Sequence, residues 1–152
     1  MPPFMKHLLI THRCTMRYRE RELADTGLNA CHPPYLLALY REPGIAQDEL
    51  ARRMEINRST AARQLASLES LGYIRREPAA EDRRSLLVYP TQKALDMQPR
   101  LMQTLRAWRE YLTADFTPQE QELLSQLLAR MAERARNFDK GENAPCAPSD
   151  NT

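Results

Sequence analysis

Apolar and polar residues follow each other along this chain with the period of α-helices. Apolar side chains recur every three or four positions, which places them on one face of a helix. This spacing predicts helices over residues 5–25, 46–54, 58–72, 91–113 and 117–138, and a shorter one within 32–44. The fold is therefore expected to be mainly α.

The segment 46–72 has the most regular pattern. A helix over 46–54 and a helix over 58–72 are separated by a short turn. Asn57 is placed to cap the second helix and Gly72 to end it. The apolar positions of the second helix, which predict its buried face, are Ala61, Leu65, Leu68 and Leu71.

A short β-hairpin is predicted directly after this helix pair. Its strands lie in the stretches YIRREP and SLLVYPT, which flank a polar tip at 79–84. Helix, turn, helix and hairpin together predict a winged helix–turn–helix. The tip carries Arg83 and Arg84, so two permanent positive charges stand on a protruding arm.

The C-terminal part is predicted to be helical again. Pro99 lies inside the helix over 91–113 and predicts a kink or a local break. Thr117 and Glu120 form a capping box, with Pro118 at the first helical position. The apolar stripe of this last helix is Leu123, Leu124, Leu127, Leu128 and Met131.

Composition narrows the class of protein. The 152 residues are enough for one domain with a core, and a net charge of +2 does not by itself indicate a nucleic-acid partner. No apolar run approaches the roughly 18 residues of a membrane span, so a membrane span is not expected, and neither is a secretory signal. The widely spaced Cys14, Cys31 and Cys146 favour a reducing compartment, so a cytoplasmic protein is expected.

The polar face of the helix over 58–72 is compact and basic. Ser59 and Thr60 fall in its first turn, where free N–H groups and the helix dipole attract phosphate. Arg63 and Gln64 follow one turn later, and such side chains hydrogen-bond guanine or adenine in the major groove. The whole face comprises Arg58, Ser59, Thr60, Arg63, Gln64 and Ser67. An ordinary solvated helix face is the alternative.

The hairpin favours contact with DNA over that alternative. An arginine at a wing tip reaches the narrow minor groove, where the negative potential is high. Arg84 is the candidate for this contact and Arg83 stands beside it. Asp82 is expected to brace the Arg84 guanidinium.

The stretch 47–94 resembles the DNA-binding core of the MarR (multiple antibiotic resistance regulator) family. The family's D-x-R-S wing signature is present as Asp82-Arg83-Arg84-Ser85, a T-x-K motif enters the next helix, and the recognition-helix pattern begins RSTAARQL. Two positions depart from the family pattern. Ala46 replaces a frequent threonine cap, and Ala94 stands where glycine is common.

The resemblance, which covers roughly 5–138, implies a winged helix–turn–helix plus a helical dimerisation region. It divides the chain into an N-terminal dimerisation helix (5–31), a DNA-binding region (32–90), C-terminal dimerisation helices (91–138) and a disordered tail (139–152). It implies a homodimer on pseudo-palindromic double-stranded DNA. Repression is expected rather than activation, as is release by a small aromatic or anionic effector.

Effector-binding candidates follow from position. Arg13 and Arg17 on the first helix, with His32 and Tyr35 at the start of the second, are placed to line a pocket. An arginine pairs with a carboxylate and a histidine hydrogen-bonds a phenol. Ordinary surface or interface roles are the alternative for each of them.

Other classes of function stay open or are disfavoured. Cys14 or Cys31 as a redox sensor is one alternative, and a winged helix that binds protein is another. The histidines and cysteines are not spaced like a structural zinc site. No phosphate loop or nucleophile motif is present, so neither an enzyme nor a cofactor is expected.

Overall fold

The computed structural model describes residues 3–139, and its contacts divide the chain into two units, Met1–Arg109 and Glu110–Thr152. The helices are α1 (Pro3–Glu22), α2 (Pro33–Arg41), α3 (Gln47–Arg53), α4 (Arg58–Ser70), α5 (Gln92–Leu112) and α6 (Pro118–Asp139). The strands are β1 (Ile45–Ala46), β2 (Ile74–Pro78) and β3 (Leu86–Pro90). The fold is a mainly α winged helix–turn–helix.

Helix α1 has no fully buried residue, and its side chains are partly buried only from Cys14 onward. Leu23, which follows it, is fully buried, whereas Leu8 and Leu9 are 37% and 42% exposed. The single chain therefore leaves Leu8 and Leu9 uncovered. A single 3₁₀ turn (Ala24–Thr26) follows α1, and Gly27, with φ of 78°, reverses the chain there.

One core lies beneath α2, α3, α4 and the sheet. The apolar positions of α4 predicted to face inward do so: Ala61, Leu65 and Leu68 are fully buried, and Leu71 packs against them. Tyr73 and Ile74 continue this core from the helix into the wing. The other apolar residues of this core cluster are Leu23, Leu28, Tyr35, Leu36, Leu39, Ile45, Leu50, Ala51, Val88, Ala94 and Leu101.

The wing is a three-stranded antiparallel sheet with strand order β1-β3-β2, whereas the sequence predicted only the two strands of a hairpin. Ile45 pairs with Val88 on one side of β3, and Arg76 pairs with Val88 on the other. Strand β1 has two residues, too few to show an alternating pattern. Its extended conformation comes from pairing with a strand distant in sequence.

A side-chain clamp ties the wing to both helices of the helix–turn–helix. Arg76 of β2 donates to Oε2 of Glu69 from Nε and Nη2, at 3.1 and 2.8 Å, and to Oε1 of Gln47 at 3.1 Å. Its backbone N–H donates to Oε1 of Glu69 at 3.0 Å. Because the Arg76 side chain is only 18% exposed, these bonds are shielded from solvent.

The T-x-K motif joins the end of α4 to the start of α5. Thr91 Oγ1 donates to the Gly72 carbonyl at 2.6 Å, and Lys93 Nζ donates to the Leu71 carbonyl at 2.7 Å. The positive charge of Lys93 also interacts favourably with the negative, C-terminal end of the α4 dipole. Helix α5 continues through Pro99, so the local break expected there does not occur.

The unit after Arg109 contains α6, which begins as predicted. The backbone N–H of Thr117 donates to Glu120 Oε2 at 2.8 Å, and the N–H of Glu120 donates to Thr117 Oγ1 at 3.2 Å. The apolar stripe of α6 is exposed in the single chain. Apart from Asp139, the predicted disordered tail lies outside the described residues.

Candidate nucleic-acid interface

The first turn of α4 is organised by Asn57. Its Oδ1 accepts from the backbone N–H of Thr60 at 2.7 Å and from the hydroxyl of Ser59 at 2.9 Å. Asn57 therefore caps α4 as predicted. The backbone N–H groups of Arg58 and Ser59 lie in the same turn, where an α-helix has no carbonyl of its own to receive them.

The predicted polar face of α4 is accessible. Arg58, Ser59 and Arg63 are exposed, and Thr60, Gln64 and Ser67 are partly exposed. Arg58 lies 3.6 Å from Asp48 of α3, with 80% of its side chain exposed. The first carboxylate along this helix is that of Glu69, which forms an ion pair with Arg76.

The arginines of α3 are in a different position from those of α4. Arg52 and Arg53 both donate to Glu49, and Arg53 also pairs with Glu42. Hydrogen bonds from both guanidinium groups lower the pKa of Glu49 to about 2. The positive charge of α3 is thus largely neutralised within the protein.

The wing tip is exposed from Glu81 to Arg84, as the sequence predicted. Asp82 Oδ1 accepts from the backbone N–H of Arg84 at 3.0 Å. The expected brace is therefore a bond to the main chain of Arg84, not to its guanidinium. Within residues 3–139 neither Arg83 nor Arg84 forms an ion pair, so both side chains stay available.

The candidate effector residues fall into two groups. His32 and Tyr35 are buried at the start of α2, with 1% and 3% exposure. Burial lowers the pKa of His32 and raises that of Tyr35. Arg13 and Arg17 are exposed on α1, and no hydrogen bond or ion pair of the described residues joins them to His32 or Tyr35.

The two cysteines of the described chain differ in their surroundings. Cys14 is partly buried and accepts a hydrogen bond from Arg17 Nη2 at 3.2 Å, while Cys31 is exposed. Between residues 3 and 139, no group of three or more His, Cys, Asp or Glu side chains is placed to hold a metal ion.

Two residues near the helix–turn–helix were not singled out from the sequence. Arg19 of α1 donates to the Ala30 carbonyl at 3.3 Å, and its Nε is buried without a partner. Burial lowers the pKa of its guanidinium. Asn29 donates from Nδ2 to Oε1 of Gln64 at 3.4 Å. Arg19 lies one turn before the buried Leu23, a spacing that indicates a shared face.

A helix–turn–helix followed by an antiparallel wing, with exposed arginines on both, defines a winged helix–turn–helix protein. A MarR family sequence model matches residues 26–85. YybA, an uncharacterized HTH-type transcriptional regulator of Bacillus subtilis (strain 168), is 33% identical over 110 residues, covering 72% of this chain and 73% of YybA. The chain belongs to the MarR family of transcriptional regulators.

Solved structures agree with this assignment. A crystal structure of MarR is 33% identical, with a TM-score of 0.79, over 91% of this chain and 95% of that one. A MarR-family structure from Listeria monocytogenes in complex with a 26mer DNA shares the fold at 22% identity and TM-score 0.83, over 95% and 99% of the two chains. No helix among residues 3–139 is long and apolar enough to cross a membrane.

Proposed function

We propose that this regulator is a cytoplasmic homodimer that binds a pseudo-palindromic operator, with one winged helix–turn–helix on each half-site. The observation that carries the proposal is the distribution of unpaired positive charge. Arg63 on α4 and Arg83 and Arg84 on the wing form no ion pair among the described residues, whereas the arginines of α3 are paired. Such a distribution suits a partner that is itself negative.

Helix α4 is proposed to lie in the major groove. Arg63 and Gln64, one turn into the helix, read base edges, and Ser67 follows one turn later. Ser59 and Thr60, with the N–H groups of the first turn, hold a phosphate at the positive end of the helix dipole. Arg58 contacts a phosphate by exchanging its weak pairing with Asp48 for a closer one.

The wing is proposed to enter the minor groove. Arg84 supplies the inserted charge and Arg83 contacts the flanking backbone. Asp82 fixes the main chain at the tip through the Arg84 N–H, so less conformational entropy is lost on binding. The DNA complex of the Listeria relative, which has the same fold, supports DNA as the partner.

Dimerisation is supported by apolar surface that the single chain leaves uncovered. On α1, Phe4, Leu9 and Ile10 are 52%, 42% and 45% exposed. On α6, Leu123 and Leu127 are 54% and 44% exposed. A helix that leaves several large apolar side chains uncovered marks an interface between chains.

The test is DNA binding at several salt concentrations. An operator is first selected from random duplexes, and its affinity is then measured for the wild type and for Arg63→Ala and Arg84→Ala. Affinity is expected to fall steeply with salt, because bound phosphates release counterions. Arg63→Ala is expected to cost about 1–3 kcal/mol and to relax preference at one base position.

The matched control is Arg106→Ala, which removes the same charge from an exposed position on α5 outside the proposed interface. It is expected to bind like the wild type. A winged helix that serves protein contact instead would show no duplex selection and no loss in Arg63→Ala or Arg84→Ala. That result would refute the DNA-binding proposal.

Repression and effector release belong to the same proposal. A small aromatic or anionic effector is proposed to pair with Arg13 or Arg17, and to engage His32 and Tyr35 when they become accessible. A panel of aromatic carboxylates and phenols, titrated against the protein–operator complex, tests this. Release by a compound that persists unchanged in the Arg13→Ala, Arg17→Ala variant would exclude the arginines.

A thiol switch is the second candidate, and the Arg17 contact to Cys14 favours it. Arg17 Nη2 donates to Cys14 Sγ at 3.2 Å, which places a permanent positive charge beside this sulfur. Mild peroxide is expected to weaken operator binding if Cys14 or Cys31 responds. A Cys14→Ala, Cys31→Ala variant that loses binding to the same extent would rule out both thiols.

A further inference from the structure

Asn29, which directly precedes the turn into α2, is held in one conformation from several sides. Its Oδ1 accepts from the N–H of Cys31 at 2.8 Å, and its carbonyl accepts from the N–H of His32 at 3.2 Å. Its own N–H donates to Nδ1 of His32 at 3.0 Å. Because Oδ1 is committed to Cys31, the direction of the amide Nδ2 group is fixed as well.

His32 supports this arrangement from inside the protein. Its ring is 1% exposed, and burial lowers its pKa, which favours the neutral form. A neutral ring keeps one nitrogen as an acceptor, which Nδ1 provides for the Asn29 N–H. The buried ring therefore anchors a residue whose side chain reaches the surface.

The fixed Nδ2 group is directed at the recognition helix. Nδ2 lies 3.2 Å from His32 Nε2, but this nitrogen carries the ring proton when Nδ1 accepts, so it cannot receive a hydrogen bond. Nδ2 donates instead to Oε1 of Gln64 at 3.4 Å. Gln64 thus turns its carbonyl towards Asn29, and its Nε2 group has no hydrogen-bond partner among residues 3–139. Gln64 therefore offers its Nε2 donor, and not its Oε1 acceptor, to the proposed contact in the major groove.

We propose that Asn29 is a positioning residue for base recognition, which orients the Gln64 carboxamide so that α4 reads a base edge made of acceptors. The inference rests on the proposed DNA-binding function and names one determinant of its specificity. Guanine N7 and O6, or thymine O4, match such a donor. The bidentate contact to adenine needs Oε1 and Nε2 to face the base together, and the bond from Asn29 opposes that rotation.

Two substitutions separate orientation from local structure. Asn29→Ser keeps an oxygen for the Cys31 N–H but has no amide that reaches Gln64. Asn29→Asp keeps the same acceptor, and its second oxygen accepts from Gln64 Nε2, which turns Oε1 outward. The serine variant is expected to gain tolerance for adenine at one base position, and the aspartate variant to prefer adenine N6 or cytosine N4.

The experiment is selection of bound duplexes from a random library by the wild type and both variants. The relative preference at one position per half-site is expected to change by about fivefold or more, the low end for one base contact. In a Gln64→Ala background, Asn29→Asp is expected to leave every base preference unchanged. This background removes the general effect of added negative charge.

The selected motifs show separately whether Asn29 positions Gln64 and whether the protein binds DNA at all. If both variants select the wild-type motif, Asn29 does not position Gln64 and the inference is overturned, while DNA binding stands. If the wild type selects no motif, the proposed function fails and the inference with it. Circular dichroism and thermal unfolding report folding, and Asn29→Ser decides the question if Asn29→Asp does not fold.

Discussion

Gly44 and Gly72 both have positive φ, 85° and 81°, but they differ in what surrounds them. A Cβ at Gly44 would lie 2.9 Å from the ring of Tyr89, whereas a Cβ at Gly72 meets only Lys93 Cδ at 3.9 Å. Arg75 stacks over the Tyr89 ring with 4.3 Å between guanidinium carbon and ring centroid, so displacement of the ring also disturbs this contact.

Alanine is therefore expected to cost more at Gly44 than at Gly72. Backbone strain alone accounts for about 1 kcal/mol at Gly72, and displacement of Tyr89 raises the cost at Gly44 to about 2 kcal/mol or more. Urea unfolding at a single protein concentration measures both. Equal losses would show that the Tyr89 ring adjusts without cost.

At the scale of the element, α3 begins without a side-chain cap. Ala46 has the extended conformation of an N-cap, with φ of −65° and ψ of 138°, but no oxygen to offer the first turn. Ala46→Thr is expected to raise the free energy of unfolding by about 0.5–1 kcal/mol. Ala46→Val, which has the same shape without the hydroxyl, is the control in urea unfolding, and an equal gain there would assign the effect to packing.

The clamp between β2 and α4 makes a second prediction, on pH. Hydrogen bonds from Arg76 lower the pKa of Glu69 below its ordinary value of 4.5. Because the pKa of Glu69 is lower in the folded state than in the unfolded state, the clamp contributes its full stabilisation of the fold above the unfolded-state pKa. This contribution is lost as the pH falls through the folded-state pKa. Stability should therefore fall on acidification partly because Glu69 takes up a proton.

Glu69→Gln is expected to be less stable than the wild type near neutral pH and to approach it as the pH is lowered below the ordinary glutamate value. Urea unfolding over a series of pH values measures the difference between the two proteins. Glu81→Gln, in the exposed wing tip and outside the described ion pairs, serves as the matched control. A difference for Glu69→Gln that stays constant with pH would contradict the linkage.

Elements set by local sequence were predictable, and those set by distant contacts were not. Asn57 and the Thr117–Glu120 pair act within one turn of their helices, so their roles follow from spacing. Strand β1 exists because β3 pairs with it, and the Arg76 clamp joins residues 29 positions apart in sequence. At the candidate interface, α4 and the wing were predicted, but the contact of Asn29 with Gln64 spans 35 positions.

At the scale of the whole molecule, the exposed apolar stripe of α6 is a feature that the single chain does not explain. Leu123, Leu127 and Met131 recur on one face and are 54%, 44% and 38% exposed. A helix amphipathic in this way is stable when its apolar face is covered. We expect a second copy of the chain to cover it.

Leu127→Glu is expected to place a charge in that interface and to shift the protein from dimer to monomer in analytical ultracentrifugation. A dimer binds both half-sites of the operator at once, whereas a monomer binds only one of them. The monomer should therefore lose most of its affinity for the full operator but bind a single half-site as before. Ser125→Glu adds the same charge about 200° around the helix from Leu127 and should remain dimeric. If Leu127→Glu stays dimeric, the stripe is not the interface, and the apolar surface of α1 must hold the dimer together without it.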